Sequence, residues 1–276
     1  TTMPLVKVFS TKGRPGVTTT ALALAALAPA EARAVLVECD PAGGDLMRRH
    51  GLAAKPSVVD LAAAARTTVP ASATRNAPAV PEDPFATTTQ RVLLRDRAVN
   101  VVVAPAGGAQ TRAALPELTR TGQATLNPPD RLIVADCGRL DVPSPCRPLL
   151  DLADVVMVLV RARADEIAHL REHLADLIDH AAGRLLVVLA PGGQYSAAEV
   201  DDVLTGVVVE ELARDERALR VTGPLPADRR AAAVLGGDLV AGRRWHRLPL
   251  LVAAGQLLDE LLPRLATTTA RTAVRP

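Results

Sequence analysis

The chain has 276 residues, 49% hydrophobic and 22% charged, with a formal net charge of +2. That composition excludes intrinsic disorder, and so small a charge leaves no global field to draw the protein onto nucleic acid or lipid. The aromatic residues are Phe9, Phe85, Tyr195 and Trp245 alone, too few for a platform that stacks single-stranded bases.

Short β-branched runs alternate with helical patterns along the whole chain. The pattern predicts strands at 4–9, 34–38, 90–94, 99–104, 131–136, 154–160, 184–190 and 219–223. It predicts helices at 17–28, 44–51, 58–65, 110–120, 146–152, 165–181, 197–204, 227–235 and 247–265. Runs such as "RLIVAD" and "DVVMVLV" are apolar on both faces, which suits strands of a parallel sheet covered by helices on each side. The alternation argues for an α/β class, a doubly wound, mostly parallel sheet in a single domain over 1–265. Residues 66–89, rich in Pro, Ala and Thr, read as a long surface loop, and 266–276 as a flexible tail.

Cys39, Cys137 and Cys146 have neither zinc spacing nor an even disulfide framework. No run approaches the roughly 20 apolar residues of a membrane span, and the first residues show no signal-peptide pattern. The expectation is a cytoplasmic protein with no transmembrane segment. Cys39 and Cys137 read as buried inert thiols rather than a redox pair. His169 and His173 lie at i, i+4 on one helix with no completing ligands, so a solvated face is expected rather than a metal site. The stretch "GRRWHRLPLL", with Arg243, Arg244, Arg247 and the only Trp, reads as a polar helix start, with a basic or protein-binding patch as the alternative.

The chemistry concentrates in three stretches. "KGRPGVTT", residues 12–19, stands between a strand and an alanine-rich helix. Glycines there let backbone N–H groups approach a phosphate, and the helix N-terminus adds its dipole. "VLVECDPAGGDL", residues 35–46, and "RLIVADCGRL", residues 131–140, are apolar strands that end in carboxylates, the edge at which α/β sheets hold ligands.

Together these stretches resemble the MinD/ParA family of deviant Walker A P-loop ATPases. The resemblance implies that Lys12 is the signature lysine that reaches a partner subunit's nucleotide. It implies that Gly13, Arg14, Gly16, Thr18 and Thr19 surround the phosphates. Thr18 and Asp136 would hold Mg²⁺, Asp40 would help orient the attacking water, and Gly138 would lie near the γ-phosphate. Glu38 takes the first acidic position of the second signature. "VTGPLPAD" is similar to the late strand and loop that pack on the base, where Pro226 and Asp228 stand.

The departures are as informative. Val17 replaces the P-loop lysine, Arg14 replaces a glycine, Pro15 removes an N–H, and "VVLAPGG" lacks the family's adenine-reading asparagine. Loss of a lysine from a partly desolvated phosphate site weakens binding by roughly a hundredfold or more. Arg14 offers a replacement charge from a different place in the loop. The sequence therefore reads as a spatial-organisation protein with a degenerate site, a pseudo-ATPase scaffold acting through a homodimer or a protein partner. ATP or ADP with Mg²⁺ is expected to bind weakly or not at all. The alternative is an active ATP-dependent switch that positions DNA, a pilus or secretion machine, or a division complex. Nonspecific DNA binding is not favoured by the charge, and the last helix lacks the basic amphipathic pattern of a membrane-targeting tail.

Overall fold

The computed structural model describes residues 5–13, 16–67, 83–120, 125–141, 144–181 and 185–272. All eight expected strands form: β1 (Leu5–Ser10), β2 (Val35–Glu38), β3 (Gln90–Leu94), β4 (Arg97–Val102), β5 (Ile133–Arg139), β6 (Val155–Arg161), β7 (Leu185–Ala190) and β8 (Leu219–Thr222). They make one sheet in the order β3-β4-β2-β5-β1-β6-β7-β8. Every pairing is parallel except the β3–β4 hairpin at one edge. This is the fold of P-loop NTPases.

Both faces of the sheet are buried, and the reason lies in the strand sequences. Leu5 and Phe9 of β1 turn to one core, Val6 and Val8 to the other. The first core is roofed by α3 (Val58–Thr67), α5 (Ala109–Arg120), α6 (Leu149–Leu152), α7 (Ala164–Ala181) and α8 (Ala197–Gly206). The second is roofed by α1 (Val17–Leu27), α9 (Arg229–Leu235) and α10 (Pro249–Thr272). A strand with only one apolar face could not serve two such layers.

The helices depart from expectation in several places; the one expected at 146–152 keeps only α6 (Leu149–Leu152). The segment after β2 keeps only a single turn, α2 (Leu46–Arg49). A short helix, α4 (Pro84–Thr88), stands inside the stretch read as loop. Asp83 caps it by accepting from the Phe85 N–H, and Pro84 occupies its first turn, where a missing N–H costs nothing. Phe85 buries under the Arg131 guanidinium, and Arg131 pairs with Asp83 at 2.8 Å. Residues 68–82 of that stretch lie outside the described residues. Lastly, the backbone of α10 continues to Thr272, past the boundary expected at 265.

The topology positions the site. From β1 the chain crosses to β2 on one side, while β6, β7 and β8 build out on the other. The loops after β1, β2 and β5 therefore converge at the carboxyl edge of the sheet, where the strand order reverses.

Candidate functional site

A cleft of roughly 580 Å³ opens at that edge, lined from three loops and the start of α1. β1 contributes Ser10, and the following loop contributes Gly13 and Gly16. Gly16 has φ +90°, a left-handed turn that a side chain would strain, and it is the N-cap of α1. The first intrahelical bond of α1 at this end runs from the Thr20 N–H to the Gly16 carbonyl. The N–H groups of Val17, Thr18 and Thr19 precede it, so they have no acceptor inside the helix. Among the described residues none finds another. All three residues line the cleft, and a helix N-terminus with free N–H groups is an anion site. The Ser10 hydroxyl is buried beside them and has no hydrogen-bond partner among the described residues.

The carboxylates follow the same logic. β2 and β5 run in register, Glu38 opposite Asp136, and the Cys39 N–H donates to the Asp136 carbonyl at 2.7 Å. Asp136 is buried; its side chain accepts from the Gly138 N–H at 3.1 Å and from the Thr18 hydroxyl. Burial drives its pKa up to about 7, and the Glu38 carboxyl adds to the rise against those two hydrogen bonds. Thr18 and Asp136, expected as metal-holding residues, are thus brought together. A buried carboxyl with a raised pKa next to a hydroxyl is the donor set a hard dication takes, and a bound Mg²⁺ would return it to the ionised form.

Asp40 lines the cleft from the loop after β2. Its Oδ1 accepts from the Ala42 N–H at 2.8 Å, and burial raises its pKa. Its carboxylate lies against the Cα of Gly138. A Cβ there would come within 2.0 Å of Asp40 Oδ2, and Gly138 has φ +58°. Only glycine fits that contact. Glu38, by contrast, is a clamp. Its Oε1 accepts from the N–H groups of Asp45 and Leu46 at 2.8 and 3.0 Å, and its Oε2 from that of Ala104 at 2.9 Å. It ties the end of β2 to α2 and to the chain leaving β4, and burial raises its pKa.

Lys12 does not point into the cleft. Its Nζ donates to Asp165 Oδ2 at 2.6 Å, at the start of α7, with both side chains well exposed. The lysine hydrogen bond holds the Asp165 carboxyl down at about 2. Val17 takes the position after Gly16 with its side chain in the second core, 6% exposed. Arg14 lies outside the described residues. Pro226 and Asp228 are not among the residues lining the cleft. Asp228 caps α9 through the Ala231 N–H at 2.9 Å and reaches the Leu250 N–H at 3.3 Å, tying α9 to α10.

The structure adds residues that the sequence reading passed over. Arg49 and Arg139 line the cleft. Arg49 is paired with Asp45 at 2.5 Å; Arg139 forms no ion pair among the described residues. The signal for Arg139 was its place directly after Gly138. Lys7 is fully buried in β1. Its Nζ donates to the Cys146 carbonyl and lies 6.0 Å from the Phe9 ring centre. Its signal was a charge inside an apolar strand. Cys39, Cys137 and Cys146 are free and buried on the same sheet face. Trp245 is buried too, its Nε1 donating to Asp96 at 3.0 Å, which removes it from any surface patch. Among the described residues no group of side chains forms a metal cluster of three or more ligands, and no helix is long and apolar enough to cross a membrane.

Solved structures share this architecture. A ParA family ATPase from Chlorobium tepidum TLS superposes with a TM-score of 0.65 at 14% identity, over 94% of this chain and 99% of that one. An Asp-to-Ala variant of McdA from Cyanothece in complex with ATP gives 0.65 at 16%, over 94% and 96%. The cell division ATPase MinD of Pyrococcus furiosus gives 0.62 at 15%, over 94% and 98%. No protein-family model and no curated protein matches the chain by sequence.

Proposed function

We propose that this chain, which has the fold of the MinD and ParA ATPases, is a spatial-organisation protein of that type whose nucleotide site is degenerate. It works as a scaffold through a second copy or a protein partner rather than by turnover. One observation carries the reading: the residue after the Gly16 turn is Val17, and its side chain is packed into the core beneath the cleft. Valine at that position supplies no cation to the phosphates, although the position itself lines the cleft. The rest of the cradle supports residual binding. The free N–H groups of residues 17–19 suit the phosphates of ATP or ADP, and Thr18 with Asp136 suits Mg²⁺, which would screen the phosphate charge when bound. Lys12, resting on Asp165, is held on its own subunit.

The test is calorimetric titration of Mg·ATP and Mg·ADP into the protein and into Val17→Lys. Weak or absent binding by the unaltered protein, with a gain of about a hundredfold in the variant, supports a site disabled at one residue. Micromolar binding with turnover by the unaltered protein refutes it. That outcome favours the second reading, an active switch in which Arg139 supplies the lost charge, since Arg139 lines the cleft without an ion pair of its own. Arg139→Ala then abolishes the binding.

A further inference from the structure

The β3 strand is one of the two edges of the sheet, and among the described residues no strand pairs with its outer side. It turns into β4 through Arg95 and Asp96, with Leu94 opposite Arg97. In a two-residue hairpin the closing pair is hydrogen-bonded, and bonded and unbonded pairs then alternate. Val92 and Gln90 therefore bond β4, while Arg91 and Leu93 turn their N–H and C=O groups outward. Among the described residues these outward groups have no partner.

The side chains at this edge are unusual for a free strand. Leu93 is 73% exposed, between exposed Arg91 and Arg95. Beside the edge lies a cavity of roughly 250 Å³, walled by His50, Leu93, Leu94, Val234, Leu239 and Val240. Val240 is 92% exposed and Leu239 50%. Native proteins blunt open edges with charge, yet three large aliphatic side chains remain in solvent here. Arg91 and Arg95 form no ion pair among the described residues. The carboxylates nearby are Asp45, paired with Arg49, Asp96, bonded to Trp245, and exposed Asp238.

We propose that the β3 edge is a docking site for an extended acidic segment of a partner protein, which adds to the sheet as a ninth strand. The free N–H and C=O groups of Arg91 and Leu93 supply backbone pairing. Alternation along an added strand then dictates its side chains. On the face of Arg91, Leu93 and Arg95 it presents an acid, an apolar residue and an acid. On the other face its two intervening residues are apolar and enter the cavity beside Leu239 and Val240. The recognised pattern is acid–apolar–apolar–apolar–acid. This surface shares only Arg49 with the residues lining the cleft, and neither Arg91 nor Leu93 lines it, so peptide binding and Mg·ATP binding can fail independently.

The test uses a fluorescein-labelled peptide, Ser-Asp-Val-Leu-Val-Glu-Ser, and its counterpart with lysine at both acidic positions. Fluorescence anisotropy reads binding, and hydrogen exchange reads the amides of Arg91 and Leu93. The expected result is saturable binding of the acidic peptide below about 1 mM, at least about tenfold weaker binding of the lysine peptide, and slowed exchange at both amides. Leu93→Pro removes one outward N–H without touching the β4 ladder, and it weakens binding by at least about tenfold. Arg91→Glu leaves the backbone edge intact and shifts preference toward the lysine peptide. No saturation, equal binding of the two peptides, or no effect of either substitution overturns the proposal. A concentration-dependent dimer abolished by Leu93→Pro overturns it in favour of a second copy of this chain.

Discussion

Replacing Asp136 by Asn tests whether the site is built around a cation. Burial raises the Asp136 pKa from an ordinary value of 3.8 to about 7. The folded state therefore keeps a proton that the unfolded state has lost across that window. Unfolding releases the proton, so the contribution of this group to stability falls as pH rises from about 4 to about 7. Below the window both states are protonated and the group is neutral in effect. Above it the full cost stands: about 3 pH units at 1.36 kcal/mol each, or about 4 kcal/mol. Asp136→Asn removes that cost; its amide oxygen still accepts from the Gly138 N–H, and its NH₂ can donate to the Thr18 hydroxyl oxygen. In urea titrations the two proteins should converge near pH 4, and the variant should be more stable by up to about 4 kcal/mol near pH 8. Glu38 also has a raised pKa, but it is present in both proteins and largely cancels in the difference. Adding Mg²⁺ with ADP near pH 8 should narrow the gap by stabilising only the unaltered protein. A difference that stays constant from about pH 4 to pH 8, or a variant less stable near pH 8, refutes the reasoning.

Other perturbations probe the elements around the cleft. Glu38→Ala orphans three N–H groups, at roughly 1–3 kcal/mol for each that stays dry; the expected net loss is about 3 kcal/mol, read as a lower urea midpoint, and a change under about 1 kcal/mol contradicts the clamp. Asp165→Asn releases Lys12 from its exposed partner. Stability should be nearly unchanged, while any nucleotide-dependent dimerisation, followed by sedimentation, should tighten because Lys12 no longer has to leave a carboxylate; a weakened dimer argues the opposite role for this pair. Lys7→Met exchanges a buried ammonium for an apolar chain of similar length. The thermal midpoint should hold or rise by a few degrees, since burying a charge costs more than one carbonyl contact returns. A large fall shows that the lysine holds the cluster around Cys146 together.

Much of this molecule is written in local pattern. Strands such as "VVMVLV" must be covered on both faces, because nothing in them can face water, and that requirement alone selects a parallel sheet between helices. The start of α1 was readable for the same reason: Gly16 permits a left-handed turn, and the three N–H groups that follow have no acceptor inside the helix. Asp136 and Asp40 end apolar strands, so the sheet carries them to the ligand-bearing edge. Other features depend on residues distant in sequence. Asp228, expected near a base, caps α9, and Trp245, whose stretch read as a polar helix start with a surface patch as the alternative, reaches Asp96; both contacts follow from which hydrogen-bond partner the folded chain brings within about 3 Å. Arg49 and Arg139 enter the cleft, and Lys12 turns to Asp165, only because the strand order 2-5-1-6 sets those loops side by side. Periodicity and backbone chemistry are local, so the sequence by itself determined the layers and the glycine turn that opens α1. Charge pairing and burial act through space, so only the tertiary structure decided which cations face the cleft and which strands form the edges of the sheet.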